Sequence, residues 1–221
     1  MSPTPIAVFG AGGFGREVRW LIDDINARDR TWDFVGFFDD DAHPRKVDAN
    51  YYLGTMDDLN RWPASLAVVF AVGNPPTKRR LIGQVKSPLV YFPVLIHPTC
   101  CVGISSDSLG EGSIICAGTM ITVDVRIGRH VILNLGCTVG HDTVIGDYSA
   151  FMPTVNISGE VAIGEAVYVG TGASIVNGVE IGQDTVVGAG AVVVRSLPAY
   201  CTAVGAPARP IKFHGPEQQT Q

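Results

Sequence analysis

The stretch 109–145, LGEGSIICAGTMITVDVRIGRHVILNLGCTVGHDTVI, decides the fold of this chain because an aliphatic residue returns at every sixth position. The register continues unbroken to residue 193 through Leu109, Ile115, Ile121, Ile127, Leu133, Val139, Ile145, Phe151, Ile157, Ile163, Val169, Ile175, Ile181, Val187 and Val193. The position four residues after each of these is small or β-branched, and only Leu197 departs from the rule. Two inward-facing positions in every six residues define a hexapeptide repeat.

A second period of eighteen residues lies on top of the first, at Gly110, Gly128, Gly146, Gly164 and Gly182. Three hexads therefore form one coil. This pattern predicts a parallel β-helix, in which equivalent positions stack about 4.8 Å apart. One coil cannot bury its own apolar face, so stacked coils share a continuous core that needs a cap at each end. The register slips by one residue around Ser105 and Ser106, which predicts an irregular first coil.

The residues before the repeat predict a smaller α/β domain. An apolar strand at 6–9 runs into GAGGFG at 10–15, and a helical pattern follows. This order is typical of nucleotide-binding folds, because glycines let the backbone approach a phosphate and the helix N-terminus offers free amides. The alternative is a tight strand-to-helix turn without a ligand. The domain ends near residue 93, too early for the second half of an NAD fold, which favours a nucleotide-linked small molecule.

Two further predicted strands, 34–38 and 66–72, end in polar or glycine residues. Asp39 and Asp40 follow the first strand, and Gly73 and Asn74 follow the second. The carboxyl ends of parallel strands meet at one edge of a sheet, where ligands of open α/β folds bind. The acidic pair is equally compatible with a solvated turn.

One corner of the predicted coil carries chemistry. Residues eighteen apart on that corner are Val123, His141, Gly159, Asn177 and Arg195. His141 has Asp142 beside it and a glycine one coil further on, which pairs a proton acceptor with an amide donor for an oxyanion. The alternative is a solvated histidine. His130 lies on a different corner and no histidine pair converges within the chain, so we expect no metal; a site shared between subunits stays open.

Composition narrows the functional classes. The chain has 221 residues, 46% of them hydrophobic, and a net charge of −5, which does not favour a nucleic-acid partner. The longest apolar run, 66–72, is too short to span a bilayer, and we expect a cytoplasmic protein without membrane partners. The cysteines lack CxxC spacing, so we expect core or surface residues rather than disulfides or a zinc site; they are Cys100, Cys101, Cys116, Cys137 and Cys201.

Six motifs spread over essentially the whole chain are GAGGFGREV, FFDD, AVGN, LIHPTC, GHDTVIGDYSAF and AVGAPARPIK. Together they resemble the bacterial sugar acetyltransferases of the left-handed β-helix type, which include sialic acid O-acetyltransferases and nucleotide-aminosugar N-acetyltransferases. The resemblance implies a nucleotide-sugar-binding domain at 1–93, a left-handed β-helix at 94–198 and a cap and tail at 199–221. The left hand rests on the resemblance alone, because isolated parallel crossovers are nearly always right-handed.

The resemblance also implies a homotrimer that uses acetyl-CoA, with active sites between adjacent β-helices. It makes His141 the general base, Asp142 its acidic neighbour and Gly159 the residue whose amide faces the thioester. The coenzyme would run near Ala150, Thr171 and Ala189; some relatives carry a second histidine where this chain has Ala150, so only backbone contact is expected there. The nucleotide-sugar pocket would comprise Gly12, Gly13, Phe14, Asp39, Asp40 and Gly73.

The sequence therefore predicts direct N-acetylation of an amino group on a nucleotide-linked aminosugar. Three alternatives stay open. The first is O-acetylation of a sugar hydroxyl. The second is a metal-dependent β-helix enzyme of the γ-carbonic anhydrase type, and the third is a nucleotide-binding scaffold with a catalytically silent β-helix.

Overall fold

A computed structural model describes residues 2–41 and 48–215 of the chain. The end of the predicted C-terminal segment, 216–221, lies outside the described residues. The described chain forms an α/β unit followed by a parallel β-helix, so the predicted fold class is confirmed.

The α/β unit is a five-stranded parallel sheet in the order β3-β2-β1-β4-β5. Its strands are β1 Thr4–Phe9, β2 Trp32–Phe38, β3 Tyr52–Gly54, β4 Leu66–Phe70 and β5 Val90–Tyr91. Its helices are α1 Gly13–Arg28, α2 Met56–Asn60 and α3 Pro75–Ile82, with a short 3-10 turn at Ala49–Tyr51. The two central strands β1 and β4 are almost entirely buried because their side chains are apolar on both faces, as expected for a parallel sheet covered on both sides.

The β-helix is built of two-residue parallel strands on three faces, and two longer strands, which pair antiparallel with each other, extend face 1 at its C-terminal end. Face 1 contains β6 Leu95–Ile96, β8 Ile114–Ile115, β11 Ile132–Leu133, β14 Ala150–Phe151, β17 Tyr168–Val169, β20 Val186–Val187, β22 Cys201–Val204 and β23 Arg209–Phe213. Face 2 contains β7 Cys101–Val102, β9 Met120–Ile121, β12 Thr138–Val139, β15 Asn156–Ile157, β18 Ser174–Ile175 and β21 Val192–Val193. Face 3 contains β10 Arg126–Ile127, β13 Val144–Ile145, β16 Ala162–Ile163 and β19 Glu180–Ile181.

The hexad positions form the core of the β-helix as predicted. Each aliphatic residue of the register is buried and joins one continuous cluster. Several of the small inward residues donate a hydroxyl hydrogen bond to a carbonyl in the next coil; Ser149 Oγ, for example, lies 3.1 Å from Gly164 O. This bond satisfies a corner carbonyl that would otherwise be buried without a partner. The register slip is a 3-10 turn at Ser106–Ser108.

The α/β unit packs on face 1. Ile114, Ile132 and Ala150 point outward from their strands but are fully buried, in one cluster with Val18 and Leu21 of α1. These outward positions are apolar because they meet the helix rather than water. Burial of this cluster joins the two parts of the chain through an apolar contact.

Polar bonds surround that apolar contact. His97 Nε2 lies 2.8 Å from Asp24 Oδ2 of α1, and Arg28 donates to the Pro98 carbonyl at 3.0 Å. On the other side, Arg79 of α3 pairs with Glu165 at 3.0 Å and with Asp184 at 3.1 Å. The α/β unit is therefore held at both edges of face 1.

Two buried basic side chains lie in the same interface. Lys78 of α3 is 1% exposed and its Nζ has no hydrogen-bond partner among the described residues. His130, at the corner between faces 3 and 1, is 3% exposed and its Nδ1 is equally unpartnered within that part of the chain. The His130 ring packs between Phe92 and Tyr148, with ring centres 4.8 Å and 5.6 Å away. Neither group was assigned a role from the sequence.

Candidate active site

His141 lies on the corner between faces 2 and 3, immediately after β12, and its side chain is 58% exposed. Its Nδ1 lies 2.7 Å from Asp142 Oδ2. A carboxylate can only accept a hydrogen bond, so Nδ1 carries the proton and Nε2 of the neutral ring keeps its lone pair. The corner thus presents a histidine in the tautomer that a general base requires.

Asp142 reaches the ring because its backbone is in the left-handed region, with φ of 58°. Aspartate tolerates this conformation better than most residues. The Asp142 amide donates to the Val123 carbonyl of the preceding coil at 3.3 Å, and Glu160 donates to the His141 carbonyl at 2.8 Å. The corner is therefore bonded to the coils on both sides.

The imidazole ring of His141 lies directly against Gly159. A methyl group built on Gly159 would lie 2.6 Å from His141 Nε2 and 2.7 Å from Cε1. Within residues 2–41 and 48–215, the Gly159 amide donates no hydrogen bond. A proton acceptor and a free amide donor are thus brought together, as the eighteen-residue spacing predicts.

The glycine loop lies at the carboxyl edge of the parallel sheet. Gly12 is the N-cap of α1 and has no side chain to bond the first turn, so the amides of that turn stay available to a ligand. Gly12 and Gly13 are exposed, and Phe14 is half-buried. Asp39 Oδ2 accepts a hydrogen bond from the Ala11 amide at 2.7 Å. Asp39 therefore holds the loop in place, a contact that the sequence pattern did not reveal.

Asp40 faces another element. Its Oδ1 accepts a hydrogen bond from the Met56 amide at 3.1 Å, at the N-terminus of α2. The two neighbouring carboxylates thus bond different backbone segments, and neither is a simple solvated turn residue.

Gly73 connects the sheet edge to the β-helix. A methyl group on Gly73 would lie 3.9 Å from Met152 Cε, just after β14 at the corner between faces 1 and 2. Met152 was not singled out from the sequence, because it follows an ordinary hexad strand. The predicted nucleotide edge therefore lies beside the corner between faces 1 and 2, whereas His141 lies on the next corner.

The residues expected along the coenzyme divide into two groups. Thr171 and Ala189 are exposed and lie at the corner between faces 1 and 2, one coil apart. Ala150 is fully buried in the contact between face 1 and α1. The Ala150 side chain therefore cannot reach the coenzyme, because the α/β unit covers it.

The described residues favour neither a metal site nor a cysteine nucleophile. Among them, no group of three or more His, Cys, Asp or Glu side chains is arranged to hold a metal ion. Cys137 is buried, and burial raises the pKa of its thiol to about 11, which makes it a poor nucleophile. All five cysteines are free thiols. None of the described helices is long and apolar enough to cross a membrane.

Comparisons with known proteins identify the family of this chain. The family model described as the PglD N-terminal domain matches residues 5–85. GDP-perosamine N-acetyltransferase of Escherichia coli O157:H7 is 32% identical over 167 residues, which are 75% of this chain and 75% of that protein.

Two solved structures share the fold over nearly the whole length. The acetyltransferase domain of PglB from Neisseria gonorrhoeae, in complex with acetyl coenzyme A, is 31% identical, with a TM-score of 0.83 over 95% of this chain and 100% of that one. PerB from Caulobacter crescentus, in complex with CoA and GDP-perosamine, is 30% identical, with a TM-score of 0.75 over 96% and 97%. The chain therefore belongs to the β-helix sugar acetyltransferases, a family of acyltransferases.

Proposed function

We propose that this protein transfers the acetyl group of acetyl-CoA to the amino group of a nucleotide-linked amino-deoxysugar, with GDP-perosamine as the specific candidate. The observation that carries the proposal is the His141 ring, oriented by Asp142 and lying against the free Gly159 amide. The complexes of relatives with acetyl coenzyme A and with GDP-perosamine support the two substrates.

The reaction is a direct transfer. The sugar amine attacks the thioester carbonyl carbon while His141 Nε2 accepts the proton that the nitrogen loses. The Gly159 amide donates to the oxyanion of the tetrahedral intermediate. The intermediate collapses, the carbon–sulfur bond breaks, and the imidazolium returns its proton to the departing thiolate. No acyl-enzyme forms, so no cysteine is needed.

The α/β unit is proposed to hold the nucleotide sugar at Gly12, Gly13, Phe14, Asp39 and Gly73. Asp40 lies at the same sheet edge, and we propose that it also contacts the nucleotide sugar. Thr171 and Ala189 are proposed to line the coenzyme path, because both are exposed at the corner between faces 1 and 2 in the later coils.

The separation of these groups supports a site shared between chains. The sheet edge with Gly73 lies by Met152 at one corner, whereas His141 projects from the next. A nucleotide sugar held by one chain is then completed by the His141 of a neighbour, and a cyclic trimer provides three equivalent sites. Mixing His141→Ala subunits with subunits altered at Asp39 should restore part of the activity. A fully active protein whose mass in solution is that of one subunit would contradict the shared site.

We place the enzyme in the cytoplasm. Five free thiols fit a reducing compartment. Acetyl-CoA and nucleotide sugars are also available there.

The proposed chemistry is tested by thiol release from acetyl-CoA with a panel of GDP-, UDP- and dTDP-linked sugars that carry either an amine or a hydroxyl at the same carbon. We expect the amine to be the better acceptor, because a hydroxyl nucleophile holds its proton much more tightly. Turnover with a hydroxyl compound above that of its amine counterpart would favour O-acetylation instead.

The role of His141 is tested in the same assay. His141→Ala should lower kcat by about 10²- to 10⁴-fold, the usual contribution of a positioned acid–base group. Val123→Ala is the matched control, because Val123 is 54% exposed on the same corner one coil earlier. A His141→Ala variant with near wild-type turnover would exclude the histidine from proton transfer.

A further inference from the structure

The corner that carries His141 contains two glycines that their own backbone dihedral angles do not require. Gly140 and Gly159 both lie outside the set of residues with left-handed φ. In the regular coils the equivalent positions hold side chains: Thr122, Ser158, Val176 and Val194 for Gly140, and Val123, His141, Asn177 and Arg195 for Gly159. Only the irregular first coil repeats a glycine in the Gly140 column, at Gly103. The fold of the regular coils therefore accepts a side chain at both positions, and among those coils glycine has another cause in this one pair.

For Gly159 the cause is the ring of His141. The ring occupies the volume that a side chain at 159 would fill, with Nε2, Cε1 and Cδ2 all 2.6 to 3.0 Å from a methyl group built there. Real Cβ atoms do not approach ring atoms this closely, so any residue other than glycine displaces the imidazole.

For Gly140 the cause is the backbone of the next coil. A methyl group on Gly140 would lie 2.5 Å from the Gly159 nitrogen and 2.6 Å from the Ser158 carbonyl carbon. A side chain at 140 would therefore push the two corners apart and cover the amide of Gly159. Without one, the corner with His141 can lie directly against the peptide of Gly159.

We propose that Gly140 and Gly159 are positioning residues that together form a seat for the His141 ring, and that this seat sets the distance between the base and the oxyanion donor. The proposal rests on the proposed function for its catalytic consequence. It assigns Gly159 a steric role in addition to amide donation, and it gives a role to Gly140, to which the sequence analysis had assigned none.

Gly159→Ala separates the two roles, because alanine keeps the backbone N–H and adds only a methyl group. We expect kcat to fall about 10²-fold, since a misplaced base loses most of its contribution, while the KM for acetyl-CoA changes little. In a His141→Ala background the same substitution should cause no further loss of kcat. Wild-type turnover in Gly159→Ala, or an equal loss of kcat in both backgrounds, would contradict the proposal that Gly159 positions the His141 ring.

Gly146→Ala is the matched control for Gly140→Ala. A methyl group on Gly146 would also meet the next coil, 2.6 Å from the Gly164 carbonyl carbon, but at the corner between faces 3 and 1. Both variants should lose similar thermal stability, and only Gly140→Ala should lose kcat. Equal turnover in the two variants would remove Gly140 from the seat.

Thermal melting provides a readout that needs no activity. Gly159→Ala should lower the Tm in the wild-type background and leave it nearly unchanged in the His141→Ala background, where the ring is absent. If no sugar nucleotide is acetylated, the proposed function fails while this stability difference still tests the seat. The same drop in Tm in both backgrounds would show that the ring and residue 159 do not compete for space.

Discussion

Lys78 should make the stability of the protein depend on pH, and Lys78→Met should abolish that dependence. Burial lowers the pKa of the Lys78 ammonium from 10.5 to about 7. Its Nζ has no hydrogen-bond partner among the described residues to offset the cost. Methionine keeps an unbranched apolar chain of similar length and removes the charge.

The sign follows from proton binding. The folded pKa is lower than the unfolded pKa, so between pH 7 and 10.5 the unfolded chain binds more protons, and stability rises with pH in that window. Well below pH 7 the lysine is protonated in both states and its full cost, about 5 kcal/mol at 1.36 kcal/mol per pKa unit, is present. Between pH 7 and pH 9, about 2 kcal/mol of this cost should disappear.

The assay is urea unfolding of wild type and Lys78→Met at pH 7, 8 and 9, at one protein concentration so that assembly contributes equally. We expect the variant to be the more stable protein at pH 7, and its advantage to shrink by about 2 kcal/mol by pH 9. Lys86→Met is the control, because Lys86 is exposed in the same unit. A difference between wild type and Lys78→Met that is the same at all three pH values would refute the reasoning.

Three further predictions concern single residues. Asp142→Asn should reduce kcat less than His141→Asn, because Asp142 orients the ring and does not itself transfer the proton; steady-state kinetics showing the reverse order would give Asp142 the more direct role. Asp39→Asn should raise the KM for the nucleotide sugar about tenfold and leave that for acetyl-CoA unchanged, because its charged bond holds the glycine loop; equal rises would contradict this division. Burial, then the charges of Lys78 and Arg129, lower the pKa of His130 from 6.5 to about 4. The free energy of unfolding of the wild type should therefore fall as the pH is lowered from 6.5 to 4. Urea unfolding should show a smaller fall for His130→Phe over the same range.

The β-helix could be predicted in detail because its signal is periodic. Each inward position, such as Ile145 or Phe151, repeats the requirement of its neighbours six residues away, so an error at one position is corrected by the others. The pairing of His141 with Gly159 followed from the eighteen-residue coil in the same way. Three of the five strands of the α/β unit, β1, β2 and β4, were also predicted, because their apolar runs end in glycine or acidic residues. The short edge strands β3 and β5 were not predicted, because neither contains an apolar run of that kind.

The contacts between the two parts of the chain could not be predicted, because they depend on three-dimensional docking. Ile114 and Ile132 occupy outward strand positions, and only the packing of α1 explains why they are apolar. The burial of Ala150 has the same origin, so an expected coenzyme position proved to lie under the α/β unit. The bond from Asp39 to the Ala11 amide joins residues on two loops, and no spacing rule in the sequence encodes it.

The stacked coils also fix the distances between equivalent positions along the β-helix. Positions eighteen residues apart differ in height by one coil, about 4.8 Å, so Gly159, Asn177 and Arg195 lie at constant spacing along the same corner. A point substitution changes the side chain at one of these positions but does not change the height of that position along the β-helix. The span between the base and the outer end of a ligand can therefore change only in steps of a whole coil, through gain or loss of eighteen residues. Selection for ligand length should thus act through coil number, while selection for ligand chemistry acts through the corner side chains.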